Sequence, residues 1–155
     1  MSKLLEALHS GQTDQVEAML AESPELDVFE AAALGRADRL RELVAGDAGL
    51  ANAYGDDGFQ PLALACFYGH IEAAKALLDA GADPNTLGRN QHIQTNALHA
   101  AAASENKGEA TRYELCKLLL DRGADPGIPQ GTNESRAIDS ARLNGDTRLE
   151  ALLST

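Results

Sequence analysis

Tryptophan is absent from this 155-residue chain, and aromatic residues make up only 4% of it. An interior so poor in large rings must close by packing alanine and leucine at short range, as stacked short helices do. Cysteine is nearly absent too. Only Cys66 and Cys116 occur, and neither has a partner in a C-x-x-C pattern. The count allows one disulfide, but at small core positions of different helices the pair reads as two buried free thiols in a reducing compartment. Basic residues are scarce: 13 Lys and Arg stand against 24 Asp and Glu, a net charge of −11. Such a balance argues against a binder of phosphate backbones. No apolar run approaches the roughly 20 residues of a membrane span. Met1-Ser2-Lys3 runs into an amphipathic stretch broken by Glu6, which does not resemble a secretory leader. The expectation is a cytoplasmic protein that binds neither nucleic acid nor membrane, without a cofactor or metal.

What is present is organised around residues 57–85, D-G-F-Q-P-L-A-L-A-C-F-Y-G-H-I-E-A-A-K-A-L-L-D-A-G-A-D-P-N. Pro61 opens a short helix, because its fixed φ suits the first helical position and its missing N–H has no partner to lose there. Gly69-His70 turns the chain. A second helix carries Ile71, Ala74, Leu77 and Leu78 on one face, with Gly81 as its C-terminal stop. Two short, alanine-rich antiparallel helices cannot bury an apolar face alone. They form a slab that needs neighbours on both sides.

Copies of the slab follow and precede it. Asn96 to Ala102 (N-A-L-H-A-A-A) and Tyr113 to Pro126 repeat the pattern, and Gly123-Ala124-Asp125-Pro126 reproduces Gly81-Ala82-Asp83-Pro84. Weaker copies run from Arg136 to Leu153, from Val28 to Val44 and from Leu4 to Leu20. Five helix pairs of one pattern are the signature of a solenoid. Charge is uneven along it: residues 1–85 hold 5 basic and 15 acidic groups, net −10, and residues 86–155 hold 8 and 9, net −1. The acidic first slab reads as a solvated cap, with contact to a basic partner as the alternative.

At Gly58, Pro61, Leu62, Ala65, Gly69, His70, Glu72, Leu77, Leu78, Gly81, Ala82, Asp83 and Asn85 the chain resembles the ankyrin repeat family. The resemblance implies an all-α solenoid of stacked antiparallel helix pairs with short β-hairpin-like fingers. A single domain over 1–155 is expected, divided near 1–24 (cap), 25–52, 53–86, 87–127 and 128–155 (cap). The fingers should be poorly paired, with little formal strand, and the junction at 21–27 too short for one. It also implies that His99 hydrogen-bonds towards adjacent finger backbone. Between the helices of the fourth repeat lie six residues beyond the third repeat's spacing, at 104–111. Their polar composition and Gly108 suggest a mobile surface loop, either tolerated or used as a contact.

Chemistry of a catalytic kind is not indicated. His9, His70, His92 and His99 show no metal-ligand spacing, and nothing places a nucleophile beside a base. The resemblance implies instead a variable surface made of finger positions and the ends of inner helices. That puts Tyr54, Asp56, Asp57 and Phe59 on the third finger, Phe67 and Tyr68 at the end of its inner helix, Leu34 before them, and Arg89, His92 and Ile93 on the next finger. Four of the chain's six aromatics thus fall in one repeat, at positions not needed for packing, and exposed rings of this kind often dominate binding. The reading is a noncatalytic, monomeric module that binds another protein, one with a basic surface, on its concave face. The alternatives are a stoichiometric inhibitor or immunity-type regulator of one basic enzyme or toxin, and, remotely, a cryptic hydrolase or metal enzyme.

Overall fold

The computed structural model describes residues 1–22, 24–131 and 133–154. The chain forms α1 (Lys3–His9), α2 (Thr13–Ala21), α3 (Val28–Ala33), α4 (Ala37–Gly46), a 3-10 turn (Ala48–Asn52), α5 (Pro61–Phe67), α6 (Ile71–Asp79), α7 (Ala97–Ala103), α8 (Glu109–Asp121), α9 (Ala137–Leu143) and α10 (Thr147–Leu153). Successive helices pair as hairpins. The inner row runs α1, α3, α5, α7, α9, and the outer row packs α4 on α6, α6 on α8 and α8 on α10. Local signals start the helices where expected: Pro61 is the first residue of α5, and Asp27 and Glu30 close a reciprocal capping box on α3.

Alanine makes the close stacking feasible. Ala31, Ala32, Ala65, Ala101 and Ala102 are fully buried along the inner row, while Leu40, Leu77, Leu115, Leu119 and Leu149 fill the space behind it. Each such leucine contributes about 1.5–3 kcal/mol of burial. Cys66 and Cys116 are buried free thiols.

Polar clamps join the central slabs. The Asn52 amide donates to Gly81 O at 2.9 Å and its oxygen accepts from Asp83 N at 2.8 Å. Asn85 repeats the pair one slab on, with Gly123 O at 3.0 Å and Asp125 N at 2.8 Å. A second clamp caps the last carbonyl of α3 and of α5: His70 Nε2 donates to Ala33 O at 2.9 Å. One slab later the histidine is gone, and Ser104 Oγ and Asn106 Nδ2 both donate to Phe67 O, at 2.6 and 2.7 Å.

Those last bonds tie down the start of the surface loop expected at 104–111, whose residues 105–108 are exposed and lie outside any helix. Ser104 is buried, Arg112 Nη1 donates to its carbonyl at 2.9 Å, and Lys107 lies against Gly69. The extra residues from Glu109 onward lengthen α8 to 13 residues. The insertion is an anchored bracket on the preceding slab rather than an open loop. Deeper in the same region Arg112 Nε faces Asp146 Oδ2 at 3.7 Å, both side chains under a tenth exposed.

The fingers carry no strand among the described residues. A backbone bond spans each hairpin: Gly55 N to Phe59 O at 2.9 Å, Gly88 N to Thr95 O at 2.8 Å, Gln130 N to Ser135 O at 2.7 Å. Backbone bonds also tie finger to finger, Arg89 N to Gly58 O at 2.7 Å and Gly131 N to Gln94 O at 3.1 Å. Gly58, at φ +82°, has the backbone of Arg89 and Asn90 where a Cβ would sit, so the approach requires glycine. Residues 24–27 lead directly into α3 without such a hairpin.

Candidate functional site

Two adjoining cavities open where the third and fourth fingers meet the inner helices. The first is a groove of about 400 Å³ between α5 and α7, lined chiefly by carbon: Phe59, Ala63, Leu64, Phe67, Ala100 and Ala103, with Tyr68, His9, Ile93, Thr95, His99 and Gln130. The second, also about 400 Å³, lies at the finger tips among Tyr54, Asp56, Asp57, Gly58, Arg89, Asn90 and His92. The fingers themselves make the two cavities neighbours. Asp57 lines one and Phe59 the other, two residues along the third finger, and His92 and Ile93 divide likewise on the fourth.

The ten residues expected at the surface therefore separate. Phe59, Phe67, Tyr68 and Ile93 meet in the apolar groove; Tyr54, Asp56, Asp57, Arg89 and His92 meet in the polar notch. Leu34 lines neither and packs partly buried against the core. Only Phe67 and Ile93 stand out as exposed large apolar groups at the groove, 44% and 50% exposed.

Tyr68 requires a correction, because it was expected to be exposed and is only 9% exposed. Its ring meets Phe67 edge-on at 5.1 Å and stacks on His9 at 5.7 Å, and its hydroxyl bonds to His9 Nδ1. Burial, with the Asp57 charge adding, pushes the phenol up to about 12. Burial also lowers His9, against the pull of Asp57. Tyr54 is half-buried as well: Arg89 lies 3.8 Å over its ring, and its hydroxyl reaches Leu87 O at 3.4 Å.

Sequence reasoning missed His9, Thr95, Ala100 and Gln130. His9 comes from the terminal cap, two slabs away. The signal was present in the register, since His9, Ala33 and Phe67 each stand two residues before a turn glycine. Ala33 offers only a methyl group between the other two, so rings can cross it.

In the notch, Asp57 Oδ1 accepts from Phe59 N at 3.1 Å and its backbone oxygen from Asn90 Nδ2 at 2.8 Å, whereas Oδ2 is shielded and unpaired. Asp56 is 94% exposed, with the Met1 ammonium 3.5 Å away. Among the described residues no three His, Cys, Asp or Glu side chains gather as a metal site, and no helix is long and apolar enough to cross a membrane. A wider cleft near Arg36, Arg39 and Arg41 is open and mixed in charge. Arg39 there pairs with Glu25 and Glu42, and Arg41 with Asp38, so little charge remains to offer.

Comparison with known proteins gives the architecture its family. The sequence profile described as Ankyrin repeats (3 copies) matches residues 4–87 and 28–130. Ankyrin repeat and SOCS box protein 16 of Mus musculus is 41% identical over 66 residues, 43% of this chain and 13% of that protein. Inversin of Homo sapiens is 36% identical over 98 residues, 63% of this chain and 8% of that protein. Cyclin-dependent kinase 4 inhibitor B of Bos taurus is 33% identical over 93 residues, 59% of this chain and 62% of that protein. The chain thus spans a small part of the first two and under two thirds of the third. Its stacked slabs, fingers and turn clamps agree with that match, and the chain belongs to the ankyrin repeat family.

Proposed function

We infer that this chain is a noncatalytic protein-binding module whose partner docks in the groove between α5 and α7. The observation that carries the reading is the groove itself, an open apolar surface with Phe67 and Ile93 exposed on its rim. Large apolar groups held in water beside a preformed hollow are what an interface hot spot needs. The walls are set by helix packing, so a partner loses little by ordering them. Three of the four histidines are engaged structurally: His70 and His99 on carbonyls, His9 on Tyr68. The acidic balance favours a partner with basic residues, through faster encounter and partner choice.

A second reading has its own support. The chain covers 62% of a relative named as a kinase inhibitor, which supports a dedicated inhibitor of one enzyme. The two readings differ in partner number. Affinity capture with the wild-type chain and with Phe67→Ala/Ile93→Ala tests the groove: partners must be lost with the double variant. Capture that survives both changes places the interface elsewhere. One saturable partner at 1:1 favours the inhibitor.

A further inference from the structure

We propose that the groove and the notch form one composite site for a peptide segment carrying an apolar side chain with lysine or arginine one or two residues away. The inference rests on the groove being the docking surface and adds the chemistry of what docks there.

The spacing comes from the fingers. Asp57 and Phe59 are two residues apart and line different cavities, as do the adjacent His92 and Ile93. Two residues of extended chain span at most about 7 Å, so the cavities are separated by one or two residues of an extended ligand. The groove takes the apolar group, since its walls near the rim are Phe59, Phe67 and Ile93. The notch takes a cation. Its carboxylates, Asp56 and Asp57, outnumber its one guanidinium, Arg89. Asp56 is the accessible acceptor, 94% exposed with the Met1 amino group 3.5 Å away, and the shielded Asp57 Oδ2 adds its negative charge rather than a contact. Arg89 also shows how a planar cation is received here, stacked 3.8 Å over the Tyr54 ring. Beyond the notch the field keeps the same sign, residues 1–85 carrying a net −10.

The test is selection from a random-peptide display library on the full chain, followed by anisotropy titration of synthetic peptides at low and high salt. The expected peptides share an apolar residue with lysine or arginine within two positions. Phe67→Ala weakens them by about tenfold or more. Asp56→Asn, with Asp57→Asn as a second variant that keeps the Oδ1 acceptor, weakens them about fivefold at low salt and less at high salt. An analogue with the basic residue made neutral changes less than about twofold on Asp56→Asn. Peptides that require Phe67 but carry no basic residue, or ignore both aspartate variants, overturn the composite site and leave the groove standing. Peptides indifferent to Phe67→Ala and Ile93→Ala, or no binders at all, overturn both.

Discussion

Arg112 and Asp146 face each other across the α8–α10 junction, Nε to Oδ2 at 3.7 Å, with side chains only 9% and 5% exposed. Neither atom has a hydrogen bond. The two residues hold their neighbours by other atoms: Arg112 Nη1 reaches Ser104 O at 2.9 Å, and Asp146 Oδ1 caps α10 through Leu149 N at 3.0 Å. Stranding one buried charge costs about 3–5 kcal/mol, whereas removing both together is often close to neutral. Arg112→Met should therefore destabilise by about 3 kcal/mol. Asp146→Asn keeps the cap oxygen and should also destabilise by stranding the arginine. The double variant should recover at least about 1.5 kcal/mol of the summed loss, read from a urea-denaturation double-mutant cycle. Strict additivity would show that the pair does not interact.

Gly35 tests the histidine clamp. Its φ is +72°, and a Cβ there would lie 2.5 Å from His70 Nδ1, the ring that caps Ala33 O. Gly11 has a similar φ of +69° and open space around its Cβ direction. Gly11→Ala should cost about 1 kcal/mol from backbone strain alone. Gly35→Ala should cost at least about 1 kcal/mol more, because the ring must leave its carbonyl. Equal losses in chemical denaturation would mean that the ring moves aside freely.

The solenoid was legible because its signals are local and repeated. Pro61, the G-A-D-P turns and the leucine spacing each report nearest-neighbour geometry, and most helix packing is between neighbouring slabs. The site was legible by position and less so by exposure. Phe67 and Tyr68 are adjacent on one helix end, yet one faces water and the other is covered by His9. That contact joins residues 59 apart, beyond the reach of any single repeat's pattern. The anchoring of the bracket at 104–111 was hidden for a related reason. Its polar residues look solvated in sequence, and the carbonyl that Ser104 and Asn106 serve belongs to the previous slab.

The bracket should therefore matter to stability. Ser104 is buried and its hydroxyl donates to Phe67 O at 2.6 Å. Ser104→Ala should cost about 1–2 kcal/mol, with Asn106 keeping part of the cap. Adding Asn106→Ala should leave the carbonyl without either donor and speed amide exchange at the end of α5. A double variant as protected as wild type would mean that the insertion is merely tolerated.

Acid should loosen the solenoid through its histidines. In His99, Nδ1 accepts from Asn96 N at 3.3 Å and Nε2 donates to Ile128 O at 2.8 Å, an arrangement that fixes the neutral ring. Burial holds His99 below its ordinary value, with the Ile128 bond partly opposing. Burial lowers His70 too, with Lys107 adding to it against the Ala33 bond. The unfolded chain takes up these protons near pH 6.5 while the folded chain resists. The unfolded state then binds more protons, so stability falls as pH drops from about 6.5 towards the lowered folded values. Melting temperature should be flat above about pH 7 and decline below it. His99→Gln should start lower and decline less steeply. An equal slope would assign the acid sensitivity to other groups.

Tyr68 and Phe67 offer the sharpest separation of packing from binding, because they are adjacent and oppositely placed. Tyr68 is covered and bonded to His9, so Tyr68→Ala removes a buried ring and should destabilise by about 3 kcal/mol or more. Tyr68→Phe keeps the ring and loses only the His9 bond, at about 1 kcal/mol. Phe67 is 44% exposed, and Phe67→Ala should leave the melting temperature within a few degrees of wild type while abolishing capture of the partner. If Phe67→Ala melts early and still captures, the ring is a packing element and the groove is not the interface.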